Sequence, residues 1–164
     1  MIRFIGAAAA GIGGGLAIAM LSLLGDLLAI PLLLAPFGAS CVLVFGVPNS
    51  PFVKVRNIVG GYLISAAMGL IATALLGPGP AGAAIGVALA IPAMMLSETI
   101  HPPAGAVPII VALTGPGPSF LLAPVGAGAL LLVLMGVLFR QAPSWPVFHR
   151  IRHSAVPDRP GAPR

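Results

Sequence analysis

Between Asn57 and Phe139 the chain carries one charged side chain, Glu98. It sits in the stretch Ser97-Glu98-Thr99-Ile100-His101-Pro102-Pro103-Ala104-Gly105-Ala106. A carboxylate and an imidazole three residues apart form a pair that can hold and pass a proton near neutral pH. Ionisable groups inside apolar membrane segments are costly and are read by default as functional. The double proline removes two backbone donors and bars an ordinary helix at that point. Burial is expected to raise the pKa of Glu98, so that it is neutral or shares a proton with His101. Plainer roles stand beside these. His101 would serve equally to bond a backbone carbonyl freed by the prolines, and Glu98 to cap a helix or lie at the membrane interface.

Composition says what kind of molecule positions these groups. The chain is 59% hydrophobic and 7% charged, with a mean hydropathy of +1.11, against about 25% charged residues in soluble domains. So little polar surface implies an integral membrane protein, with the lipid bilayer as its first partner. The net charge of +5 does not point to nucleic acid. Arg3, Lys54, Arg56 and Arg140 stand at the ends of apolar runs, and the other basic residues follow Arg140, as the positive-inside rule expects. Cys41 is the only cysteine, so neither an internal disulfide nor a Cys-x-x-Cys metal site is available. It reads as a small buried hydrophobe. No metal or cofactor is expected.

Six segments follow from the apolar runs and their interruptions. Phe4 to Leu24 is long enough to cross the hydrocarbon. Its glycine cluster, Gly11 to Gly15, suits close helix packing better than a dinucleotide loop, since no strand precedes it. Asp26 is expected in a short turn. Leu27 to Phe45 is a span broken by Pro31 and Pro36, with a fresh half-helix starting at Ala35-Pro36-Phe37-Gly38-Ala39-Ser40. Val47 to Arg56 is a polar loop. Asn57 to Leu76 is a third span and Ala83 to Ser97 a fourth, with Pro92 inside it. His101 to Leu113 is too short to cross as a helix unless its first part is extended. Phe120 to Phe139 is the last span. The fold class is therefore all-α membrane protein with four to six membrane segments, two of them Pro-broken half-helices. Residues 1–140 form the transmembrane domain, and 141–164 a basic, proline-rich, disordered cytoplasmic tail.

The halves carry faint echoes of one another. Leu28-Ala29-Ile30-Pro31 recurs as Leu89-Ala90-Ile91-Pro92, and Pro36-x-Gly38-Ala39 as Pro103-x-Gly105-Ala106. If every segment crosses, Arg3, the Lys54/Arg56 loop and Arg140 fall on one side, which favours a three-plus-three inverted arrangement with both termini cytoplasmic. In such transporter plans, half-helix N-termini meet near the midplane and aim backbone N–H groups at the substrate. Gly38, Ala39, Ser40, Thr99, His101, Gly105 and Ala106 would then bind a small anion, with Glu98 and His101 carrying a coupled proton. Lys54 and Arg56 mark topology or gather anions at the cytoplasmic mouth.

An ordered set of motifs resembles the HPP integral membrane proteins. They are Pro36-Phe37-Gly38-Ala39-Ser40, Pro48-x-x-Pro51, Arg56-Asn57-x-x-Gly60-Gly61, His101-Pro102-Pro103-Ala104-Gly105-Ala106 and Pro124. The resemblance covers about Ala35 to Arg140 and makes Pro36, Arg56, Asn57, Gly60, Gly61, Pro102 and Pro103 motif positions. It implies four spans, and, because plant chloroplast relatives are implicated in nitrite transport, a carrier or channel for a small anion. Tyr62 stands where such sequences often have histidine, and Glu98 does not carry over from the family. The expected function is small-anion transport, proton-coupled, in the bacterial inner membrane. The alternative is a non-transport module that assembles with a partner protein. One His and one Glu without a nucleophile pair argue against an enzyme. Small-residue helix faces suit a homo-oligomer.

Overall fold

The structure is a computed structural model and describes residues 2–141; the expected tail from 142 onward lies outside the described residues. They form six α-helices: α1 (Ile2–Leu28), α2 (Ala35–Cys41), α3 (Val55–Leu76), α4 (Pro80–Leu96), α5 (Val107–Thr114) and α6 (Ala127–Gln141). No strand occurs among them. Three helical stretches are long and apolar enough to cross a membrane: Phe4–Leu28, Val55–Leu76 and Pro118–Gln141. Three apolar helical stretches are shorter: Ala35–Gly46, Pro80–Leu96 and Pro102–Thr114.

Both expected breaks are present, and proline chemistry explains each. Pro36 stands in the first turn of α2, where its missing N–H has no helical partner to lose. α2 then loosens into a π-helical turn at Val42–Gly46. In the second half His101 is extended (φ −137°, ψ 98°), and Pro102 and Pro103 open a 3-10 segment, Pro102–Ala106, that runs into α5. α6 is preceded by 3-10 and π turns, with Ala123 non-helical just before Pro124. Pro92, by contrast, lies within α4.

Some boundaries differ from expectation. Asp26 does not sit in a turn: it lies in the last turn of α1, exposed, and α1 ends only after Leu28. The reason is a C-cap. Ala29 takes the left-handed conformation (φ 52°), its N–H bonds Asp26 O at 3.3 Å, and the N–H of Ile30 bonds Gly25 O at 3.0 Å. This pair of bonds is a Schellman cap. α4 ends the same way. Glu98 has φ 52°, its N–H bonds Met95 O at 3.1 Å, and the N–H of Thr99 bonds Met94 O at 2.9 Å. A non-glycine residue in this conformation costs about 1–3 kcal/mol, so the surroundings must hold it there.

The paired caps belong to a wider correspondence between residues 2–76 and 80–141. Each half runs as a first helix, a broken segment and a last helix. α3 packs on α4 and α5, while α6 packs on α1 and on the α2 segment. The last helix of each half thus packs on the first two segments of the other. Close approaches at glycines match as well. A Cβ at Gly61 would meet His101 and at Gly69 would meet Pro108; a Cβ at Gly128 would meet Phe37 and at Gly136 would meet Val44. Both glycine pairs are eight residues apart and both partner pairs seven apart. Packing therefore sets Phe37 opposite His101. The motif echo had set Pro36 opposite Pro103, three residues away from the packing register. The other echo does not superpose either, since Pro31 lies beyond the cap of α1 and Pro92 lies before the cap of α4.

Tyr62, Phe37, Leu21, Ile58 and Leu132 are the bulkiest fully buried apolar side chains. Large apolar side chains are also exposed all around the molecule, among them Leu75, Leu96, Leu113 and Leu122. Water would not tolerate so much apolar surface. Lipid would, and between apolar helices in lipid it is small residues and buried hydrogen bonds that hold neighbours together.

Candidate functional site

The site is built where the two broken segments touch. Ser40 on α2, Tyr62 on α3 and His101 ahead of the 3-10 segment are all fully buried. Ser40 Oγ lies 2.8 Å from Tyr62 Oη and 2.7 Å from His101 Nε2. His101 Nδ1 lies 2.9 Å from the carbonyl oxygen of Phe52, in the 3-10 turn Pro51–Val53. Tyr62 packs edge-on to Phe37 with ring centroids 4.9 Å apart, and its ring lies 5.3 Å from that of His101.

These partners fix the direction of every hydrogen bond. A carbonyl oxygen only accepts, so Nδ1–H donates to Phe52. In the neutral ring Nε2 then accepts, and the hydroxyl of Ser40 supplies that proton. Tyr62 in turn donates its O–H to Ser40. The chain runs Tyr62 to Ser40 to His101 to Phe52, with each hydrogen used once.

α3 is the cradle of the His101 loop, and this gives Arg56-Asn57-x-x-Gly60-Gly61 its physical meaning. Asn57, Gly61 and Ser65 recur every four residues and so share one helix face. Asn57 Nδ2 donates to Ile100 O at 2.8 Å, and Ser65 Oγ to Ala104 O at 2.6 Å. At Gly60 and Gly61 the loop lies so close that a Cβ would stand 2.8 Å from Thr99 Cγ2, and 2.8 Å from both His101 Cβ and Thr99 O. Arg56 Nη2 donates to the carbonyl of Glu98 at 2.9 Å and to its Oε2 at 2.6 Å. The clamp also holds Glu98 in its left-handed conformation.

Glu98 is a correction. It is not buried and does not meet His101. It lies in the connection after α4, exposed and paired with Arg56. The hydrogen bond from Arg56 and then its charge hold the carboxyl below the ordinary carboxylate range. Only Thr99 and Ile100 separate the two residues, yet Glu98 in its left-handed turn is exposed and the extended His101 is buried. Thr99 is half-buried, bonded to the Ser97 hydroxyl at 2.8 Å. Gly38, Ala39 and Ala106 are exposed, and Gly105 half-buried; no other atom comes within 4 Å of a Cβ placed at Gly38 or Gly105. The structure thus brings Ser40 and His101 together and leaves Glu98, Gly38 and Ala39 outside that cluster. Cys41 is buried beside Gly14, its Sγ 3.8 Å from the Gly14 carbonyl.

Sequence reasoning missed Tyr62, the outer end of the hydrogen-bonded chain. It is the only tyrosine in the chain and directly follows the paired glycines. The available signal is a lone phenol in a run that holds a single charge. The acceptor role of the Phe52 carbonyl has no side-chain signature.

Fold and surface together define a multi-pass α-helical membrane protein. The chain matches the transmembrane region of the HPP family over residues 2–147 and belongs to that family. Two transmembrane proteins of Dictyostelium discoideum are similar to it, one 35% identical over 71% of this chain and 41% of its own length, the other 32% identical over 71% and 45%. The chain therefore spans less than half the length of these curated relatives. No solved structure matches it.

Proposed function

We propose that this membrane domain carries a small inorganic anion of the size of nitrite, and that the proton site of the transport cycle is His101. The supporting observation is the buried Tyr62–Ser40–His101 chain at the contact of the two broken segments. Buried polar networks in an apolar bundle are costly unless fully satisfied, and intramembrane polar groups mark permeation paths. Both ring nitrogens of His101 are engaged, and through them it ties α2 and the Phe52 turn to the head of the Pro102–Ala106 segment. The paired halves suit a carrier that exposes one central site to either side in turn. A six-crossing arrangement, in which Arg3, Lys54, Arg56 and Arg140 share a side, supports both termini facing the cytoplasm of a cell whose inner membrane holds the protein.

The test is uptake of nitrite, nitrate and formate by liposomes carrying the purified domain, with and without an inward proton gradient. Protein-dependent uptake that rises with the gradient and is lost in His101→Ala and in Ser40→Ala supports the reading. No uptake of any of these anions by well-folded protein overturns it and favours a module that assembles with a partner.

A further inference from the structure

We infer that Tyr62 is the residue that holds the transported anion, and that it does so only while His101 carries a second proton, so that anion and proton cross together without net charge. This rests on the carrier reading above. The argument starts from the count of hydrogens. In the neutral chain every O–H and N–H has its acceptor: Tyr62 to Ser40, Ser40 to Nε2, Nδ1 to the Phe52 carbonyl. Nothing is left to receive an anion.

A proton added to Nε2 reverses the order. Nε2–H must now donate, and its acceptor is Ser40 Oγ. The Ser40 hydrogen, no longer taken by Nε2, is free to turn to the Tyr62 oxygen. The Tyr62 hydrogen is released from Ser40, and Tyr62 Oη has no other partner among the described residues. One proton in creates one free donor, at the other end of the chain. An incoming monovalent anion that accepts this hydrogen also neutralises the imidazolium.

Electrostatics makes the two events depend on each other. The groups facing His101 are Ser40 from α2, Tyr62 from α3 and the Phe52 carbonyl, with the Cys41 thiol beside Tyr62. No charged side chain among the described residues pairs with it; the nearest charge in sequence, Glu98, is neutralised by Arg56 at the surface. A lone imidazolium there lacks a counter-ion, and a lone anion lacks both a donor and a counter-ion. Either alone is a buried unpaired charge, and the pair is not. A divalent anion would leave one charge unmatched, so the site takes monovalent anions.

Two measurements on the folded protein test this. In a His149→Gln, His153→Gln background, His101 supplies the only imidazole 15N signals. Solid-state NMR at high pH is expected to show the neutral ring protonated on Nδ1. Adding nitrite or formate should raise the pH of double protonation by about one unit or more, a tenfold coupling, and Tyr62→Phe should abolish that shift. In liposomes, uptake should follow a pH gradient, ignore an imposed potassium-diffusion potential, exclude sulfate, and fall at least tenfold in Tyr62→Phe. An Nε2-protonated neutral ring, potential-driven uptake, or unaltered uptake by Tyr62→Phe overturns the inference while leaving an anion carrier standing. Absence of protein-dependent uptake removes the carrier reading and this inference with it.

Discussion

Gly61→Ala is the sharpest probe of how the His101 loop is held. A Cβ at this position would stand 2.8 Å from both His101 Cβ and Thr99 O. Neither neighbour is the free end of a flexible side chain, so the loop itself must retreat from α3 by roughly half an ångström. Overpacking of this kind costs about 1–3 kcal/mol. The same retreat stretches the Asn57–Ile100 and Ser40–His101 bonds, now 2.8 and 2.7 Å, at about 0.5–1 kcal/mol each. Alanine returns about 0.5–1 kcal/mol by its better helix propensity. The net expectation is a loss of about 2–3 kcal/mol. Circular dichroism during titration of detergent-solubilised protein with a denaturing detergent reads it. Gly15→Ala and Gly105→Ala, where a Cβ meets open space, are expected to lose no more than about 0.5 kcal/mol. A Gly61→Ala protein as stable as the wild type, or a Gly105→Ala protein equally damaged, would refute the cradle.

Asn57→Ala and Ser65→Ala should each destabilise by about 1–3 kcal/mol in the same titration, because each strips a donor from a loop carbonyl; the double variant should fall short of the sum, since both bonds hold one loop. Gly69→Ala should cost more than Gly136→Ala. The first would press on the Pro108 backbone and the second on a methyl of Val44 that can rotate away. Stability should also carry an acid limb from Glu98. Its carboxyl is held below the ordinary range in the folded protein, so the Arg56 pair contributes above that range and the contribution is lost as pH falls through it. Glu98→Gln should flatten this limb in a pH series of thermal melts, and added salt should shrink it, as for any exposed pair.

The breaks were legible because proline acts locally. Pro36 sets a helix start and Pro102-Pro103 bar a regular α-helix where they stand, whereas Pro92 is carried inside α4. His101 was legible as a candidate for a similar reason: an imidazole stands out in a run that holds a single charge, and the carbonyl bond expected of it is the one made to Phe52. The partner of His101 was not. Sequence proximity suggested Glu98, three residues away, but the left-handed cap at Glu98 turns the two side chains apart. Tyr62 and Ser40 arrive from other helices, 39 and 61 positions distant by residue number, and only packing reveals that. The repeat was sensed through similar words in the two halves, whereas the true register lies in glycine spacing that composition obscures.

The crossed packing of the halves has a consequence for how the protein is made. α1 and the α2 segment leave the ribosome first, yet the helix that covers them, α6, is synthesised about 100 residues later, a delay of about 5–20 s at ordinary elongation rates. During that interval the faces that α6 will cover meet only lipid or whatever chaperone attends the nascent chain. α3 waits far less, because α4 follows across a three-residue turn. The second half therefore assembles around α3 before the first is closed, and arrested chains that end before Ala127 should cross-link between α3 and α4 but leave the α6-facing side of α1 uncovered.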